Sequence, residues 1–182
     1  MDIRKQAIDA QEGFEYINKC GTQIWECGKP GTNIYRFEIV VGSYGIYMSG
    51  DIDSLVWSRM GRRGISFLAG DDVEYYIYSK LDPVYTDMVE LDEDAVQRVI
   101  DTWEEQYGEP IDPYLAEDLN HIRAHPDSSS VNRVASLIYE ATGDFEVCIT
   151  KPKHSVMFSL HMACLAARRI CAAAEGKETT DV

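Results

Sequence analysis

Base is scarce in this chain. Its 182 residues hold 17 Lys and Arg against 31 Asp and Glu, a formal net charge of −14. Long apolar runs are missing too: none approaches 18 residues, so the sequence offers no membrane span. The opening MDIRKQAIDAQEGFEYINKC lacks the apolar centre of an export signal and reads as an amphipathic helix, which implies a cytoplasmic protein. Cysteines number five, at irregular spacing, which fits reduced thiols better than a disulfide framework. Internal repeats, a phosphate-binding loop, a dinucleotide fingerprint, a nucleophile elbow and a His-Glu-x-x-His pair are all absent. No catalytic residue, metal or cofactor is therefore expected.

What is present suits a globular protein: 45% hydrophobic and 10% aromatic residues in 20.6 kDa. Area scaling gives about 8,900 Å² folded against about 30,000 Å² unfolded, enough burial for a core without disulfides. The length predicts one domain over 1–182, with a helix, meander and helix in 1–81 and an acidic helical half in 82–182.

The charge is unevenly placed. From Asp82 to Asp118 there are 13 acids and one base, Arg98, a net −12; the rest of the chain carries −2. This segment repels a phosphate backbone, so direct nucleic-acid binding through it is not expected. It is either a solvated face or a surface that meets something basic.

Periodicity predicts a helix over 3–19, ended by Gly21. Extended segments follow at Thr22–Cys27, Ile34–Val41, Gly45–Ser49 and Ser54–Arg59, separated by glycine-rich turns, which predicts an antiparallel meander. Tyr35–Val41 alternates only in part, as a strand buried on both faces would. Asp71 or Asp72 is placed to cap a helix to Leu81. Strong helical spacing runs from Asp92 to Tyr107, with Val96, Val99, Ile100, Trp103 and Tyr107 on one side. Asp112-Pro113 opens a helix to Ala124, and Ser128–Ser130 caps one to Glu140. In the last helix, Ser155–Glu175, Met157, Leu160, Cys164, Ala167, Cys171 and Ala174 form an a/d-like seam of mostly small residues. The fold class is α+β: an N-terminal antiparallel meander with helices packed on one face, then a helical C-terminal half.

Several side-chain groupings bear on chemistry. Asp118, His121 and His125 share a helix face at metal-ligand spacing, but Pro126 puts His125 at a helix end, where a histidine is already favoured by the dipole. Cys164 lies near His154 and His161 in sequence, yet a thiol inside an apolar seam is inert. Gly50-Asp51-Ile52-Asp53 sets two carboxylates two apart, which is also ordinary turn chemistry. Arg59, Arg62 and Arg63, around Gly61 and Gly64, form the one compact basic patch. They either balance acids within the fold or clamp a phosphate, with Trp57, Tyr44 and Tyr47 available to stack a base.

Two stretches carry a resemblance. Gly42-Ser-Tyr-Gly-Ile-Tyr-Met-Ser-Gly-Asp-Ile-Asp-Ser-Leu-Val-Trp57 and Phe158-Ser-Leu-His-Met-Ala-Cys-Leu-Ala, with Leu91-Asp-Glu-Asp-Ala-Val between them, follow a familiar order. The order resembles that of small accessory proteins of tailed phages and prophages, although Asp53 stands where those have glycine. The resemblance implies a phage-encoded inhibitor of a bacterial defence system, of anti-CRISPR type, working in the host cytoplasm. Its partner would be a host defence protein or ribonucleoprotein complex, and its carboxylates would occupy a basic surface built for nucleic acid. The contacting residues are then expected among Asp94, Asp101, Glu104, Glu105, Glu109 and Asp112. The alternative is a nucleotide-binding protein or enzyme using Arg59, Arg62, Arg63 and Trp57. A third reading is a homodimer joined through the C-terminal seam.

Overall fold

The computed structural model describes residues 2–18, 23–82, 88–108, 110, 114, 117, 128–142 and 149–176. Two compact units account for them: unit 1 spans 1–88 and 154–182, and unit 2 spans 89–153. The last helix thus belongs with the sheet, not with an acidic half beginning at 82.

Unit 1 opens with α1, Ile3–Ala10, whose Asp2 cap accepts from the Arg4 and Lys5 amides at 3.0 and 3.4 Å. The helix expected to reach residue 19 stops here. Gln11 caps it, and Gly13, at φ +73°, turns the chain into strand β1, Glu15–Asn18. Left-handed backbone is cheap for glycine, and the aromatics that follow favour a strand. β2 (Ile24–Gly28), β3 (Phe37–Val41), β4 (Gly45–Gly50) and β5 (Leu55–Ser58) complete a five-stranded antiparallel meander in sequence order.

Register sorts the side chains by face. Trp25, Ile39, Met48 and Leu55 stand in one row and Val41, Ile46 and Trp57 in the next, all on the core side. The opposite face carries Ile24, Val40, Tyr47 and Val56 as a row, with Glu26 opposite Glu38 beside it. β3 is therefore not buried on both faces: Glu38 is exposed, and Val40 supplies the apolar break in the alternation because it joins that outer row.

After β5 come two 3₁₀ turns, Gly61–Arg63 and Ile65–Phe67, then a π-helical turn, Val73–Ile77, continuing as 3₁₀ through Tyr78–Lys80. Asp72 caps this segment as expected, accepting from the Tyr75 amide at 3.2 Å, but an α-helix does not follow. The buried Trp57 indole donates to the Ile77 carbonyl at 3.2 Å, a contact that anchors the widened turn to the core.

The last helix of unit 1, His154–Ala174 (α4 in chain order), packs against α1 and the sheet. Its length and hydropathy would let it cross a membrane, yet 61% of that window is buried within the protein. Met157, Leu160, Cys164 and Ala167 of the expected seam are buried, Cys171 is half-buried and Ala174 is exposed. Val156, Ser159, His161, Met162, Ala163, Ala166 and Ile170 are buried as well, so the helix is enclosed on more than one side. Between α1 and α4 lies a hydrogen-bonded chain. Gln11 Nε2 donates to the Met162 carbonyl at 2.6 Å, Tyr16 Oη donates to Gln11 Oε1 at 2.6 Å, and Arg169 Nη1 donates to Tyr16 Oη at 3.0 Å. Such pairing is what makes a fully buried glutamine tolerable.

Unit 2 contains β6 (Val89–Leu91), α2 (Glu93–Tyr107), α3 (Ser128–Thr142) and β7 (Thr150–Pro152). The two strands pair antiparallel, a ladder that the sequence pattern does not announce because each has only three residues. The helix expected from Asp92 to Tyr107 forms, with Asp92 as its cap: its side chain accepts from the Ala95 amide at 3.3 Å, while its own amide donates to the Ile149 carbonyl at 2.8 Å. Val96, Val134, Ile138 and Ile149 form the buried core, with Leu91, Val99, Ile100 and Leu137 packed on it. Of the helix expected from Asp112-Pro113 to Ala124, only Tyr114, in a turn, and Glu117, helical, are described; the rest lies outside the described residues.

Candidate functional site

The acidic face is built by helical phase. At 100° per residue, Val96, Val99 and Ile100 point to one side of α2, where they meet the core of unit 2. Asp94, Asp101 and Glu105 fall within about 40° of arc on the opposite side and span about 16 Å of helix axis. Glu104 flanks them. All four carboxylates are exposed, and Asp101 accepts a hydrogen bond from Gln97 Nε2 at 2.9 Å. Arg98 is the one base on the helix and lies beside the same arc. Trp103 and Tyr107 stack with ring centres 4.3 Å apart, and Tyr107 is exposed. Glu109 and Asp112, the remaining expected contact residues, lie outside the described residues.

Counting by unit sharpens the asymmetry. Unit 2 has 15 acids against 5 bases in its 65 residues, or −10; unit 1 has 16 against 12, or −4. Within unit 2, Glu90 faces Lys151 across the strand pair at 3.9 Å, an exposed contact of small energetic weight.

The basic patch takes a different form from the one expected. Arg59, at φ +68°, turns the chain after β5, and Gly61 is pressed against the Gly42–Gly45 turn. A Cβ on Gly61 would lie 2.0 Å from the Gly42 carbonyl oxygen, so only glycine fits there. Arg59, Arg62 and Arg63 are exposed. Arg63 Nη1 donates to Tyr76 Oη at 3.1 Å, and the Lys80 ammonium sits 5.3 Å from the centre of the same ring. Trp57 is not beside them as a stacking surface. It is fully buried with its N–H bonded to Ile77, because it fills the core row with Val41 and Ile46. The aromatic that does accompany the arginines is Tyr76, distant in sequence and brought in by the π-helical turn. Nothing in the spacing of the arginines marks it.

The other groupings resolve into structure. Asp51 Oδ2 accepts from the Tyr35 amide at 3.0 Å and its own amide donates to the Arg36 carbonyl at 2.8 Å, so it closes a turn. The Asp53 amide donates to Ser159 Oγ at 3.1 Å, fastening the hairpin to α4, while its Oδ2 is buried without a hydrogen bond from the protein. Cys27, Cys164 and Cys171 are free thiols. Burial pushes the Cys164 thiol up to about 12, with Arg168 opposing; burial also raises Cys27, assisted by Glu26 and Glu38, and Cys171, assisted by Glu175. Protonated thiols of this kind are poor nucleophiles. Asp118, His121 and His125 lie outside the described residues, and among the described residues no three His, Cys, Asp or Glu converge on a metal-sized space.

No protein-family model, curated protein or solved structure matches this chain.

Proposed function

We propose that this protein acts by binding, not by catalysis, and that the acidic side of unit 2 engages a basic protein surface. The observation that carries the reading is the concentration of −10 in unit 2, with Asp94, Asp101 and Glu105 exposed on the side of α2 away from its core and Glu104 exposed beside them. Carboxylates held on a packed helix present a fixed pattern to a cationic partner, and such complementarity acts chiefly through the association rate. A surface that normally contacts nucleic-acid phosphates supplies the matching charge. Together with the phage-like order of sequence motifs, this supports an inhibitor of a bacterial defence complex that occupies the nucleic-acid-facing surface of its target.

The test is capture from bacterial lysate with tagged wild-type protein and with the Asp101→Lys, Glu104→Lys, Glu105→Lys variant, with and without nuclease. A captured nucleic-acid-binding protein that survives nuclease, weakens with salt and is lost from the triple variant is the expected result. Equal capture by the triple variant, with loss instead from Arg59→Glu, Arg62→Glu, Arg63→Glu, overturns it in favour of a ligand or partner site at the basic turn.

A further inference from the structure

Unit 1 contains a pocket of about 470 Å³ between the start of α1, the loop leading into the π-helical turn, and α4. This lies within the range of small-molecule sites. Its lining includes Arg4, Asp71, Asp72, Tyr75, His161 and Arg168. Elements far apart in sequence supply them, so no local motif announces the site.

The groups are held in distinct ways. Arg168 is fixed by three contacts: Nε to the Ala69 carbonyl at 3.3 Å, Nη2 to the Gly70 carbonyl at 2.7 Å, and Asp71 at 3.6 Å. Its Nη1 edge is not used by these contacts. Arg4 is exposed, and among the described residues its guanidinium has no carboxylate or hydrogen-bond partner. Asp72 spends Oδ1 on the Tyr75 amide and keeps Oδ2. That contact caps a π-helical turn, a rare geometry found disproportionately at functional sites. The turn holds Tyr75 at the wall, where the residue is 79% exposed. His161, by contrast, is buried in α4, two turns and about 10 Å along the axis from Arg168.

Leaving the histidine aside, two cations and two anions line one pocket, and their formal charges cancel. We propose that this pocket binds a small zwitterion of the α-amino acid or dipeptide class. The ligand carboxylate goes to Arg4 and the open edge of Arg168, the ammonium to Asp72 and Asp71, and the ligand side chain lies against Tyr75. A phosphate monoester fits less well, because its second charge would meet Asp71 and Asp72. An apolar ligand would strand the charged walls. The site lies wholly in unit 1 and does not depend on the acidic face of unit 2.

The experiment is ¹H–¹⁵N NMR titration of the full chain with the twenty L-amino acids and their glycyl dipeptides. Phenethylamine, 3-phenylpropionate and inorganic phosphate serve as single-charge and oxyanion controls. At least one zwitterion should bind saturably and move amides in 69–75 and 161–168. Removing its carboxylate or its ammonium should each weaken binding by roughly tenfold or more. Arg4→Gln and Asp72→Asn should each do the same, with melting temperature unchanged for the first and the cap preserved by asparagine in the second. The proposal is overturned if no zwitterion saturates at about 10 mM, a concentration that detects even millimolar affinities. It is equally overturned if phosphate binds tighter than every zwitterion, or if binding survives the Arg4→Gln, Asp72→Asn double variant.

Discussion

Unit 1 builds four of its arginines into its fold, whereas unit 2 displays a row of acids on α2 to solvent. In unit 1, Arg168 holds two loop carbonyls, Arg169 completes the Gln11–Tyr16 chain, Arg36 pairs with Glu26, and Arg63 holds Tyr76. Each contact joins segments distant in sequence. In unit 2, Asp94, Asp101 and Glu105 of α2 stand opposite its packed side. The cores differ as well. Unit 1 encloses Trp57, Phe37, Ile39, Met48, Leu55 and Leu160, among others, while the core of unit 2 rests on Val96, Val134, Ile138 and Ile149. Charge that ties a fold together is already engaged; charge displayed on a small scaffold remains available to a partner.

The largest effects should come from the cores, and they should separate the units. Trp57→Ala removes the largest side chain of the Val41–Ile46–Trp57 row together with the Ile77 hydrogen bond, for an expected loss of about 3–5 kcal/mol. Ile138→Ala should cost about 2–4 kcal/mol, a larger share of what so few buried residues supply. Hydrogen exchange after each substitution gives the readout. Ile138→Ala should release amides of α2 and α3 while those of β3 and β4 remain protected, and Trp57→Ala should do the reverse. Loss of protection throughout the chain from Ile138→Ala would mean that the units share one cooperative transition.

The same contrast explains what could be read from sequence. The meander was legible because its strands alternate and glycines separate them. The α2 helix was legible because Val96, Val99, Ile100, Trp103 and Tyr107 keep helical spacing from end to end. β1 was hidden within a stretch whose apolar spacing also suits a helix, and only the reversal at Gly13 reveals it. The π-helical turn was hidden because it leans on Trp57, twenty residues away. At the candidate site, the exposed acids followed directly from helical phase. Trp57 was misplaced because an aromatic next to arginines carries no mark of whether the sheet buries it. The zwitterion pocket joins residues 4, 71–75 and 161–168, a juxtaposition that only the packing of α1 on α4 creates.

A smaller effect concerns pH. Tyr16, half-buried beside Arg169, has its phenol pushed up to about 12 by its partial burial, and the Cys164 thiol reaches about the same value. Both sit above their ordinary values of 10.0 and 9.0, and Cys27 is raised as well. Between the unfolded and folded values the native state binds more protons than the unfolded chain, so stability falls as pH rises. Unit 1 should be insensitive to these groups below about pH 9 and should weaken progressively towards pH 12. Denaturant midpoints measured across that window check the sign. Cys164→Ala should flatten the decline from about pH 9, and Tyr16→Phe should flatten it from about pH 10. A midpoint that holds steady to pH 12 in the wild type would show that these groups ionise without unfolding pressure.

The smallest effect is on the stability of the acidic face itself, and it separates a displayed surface from a structural one. Asp101, Glu104 and Glu105 are exposed, and the one hydrogen bond given by Gln97 to Asp101 is a surface contact. Surface substitutions away from caps and cores usually change stability by no more than about 0.5 kcal/mol each. Reversing all three to Lys also lowers the self-repulsion of a unit that carries −10, which favours the fold, while placing cations near the C-terminal end of α2 suits its dipole. The expected outcome is a melting temperature equal to or slightly above that of wild type at low salt, converging with it as salt rises. Circular dichroism melts at two salt concentrations measure this. A drop of several degrees would show that these carboxylates hold unit 2 together. The contrast with the engaged arginines of unit 1 would then fail, and with it the case for α2 as a surface awaiting a basic partner.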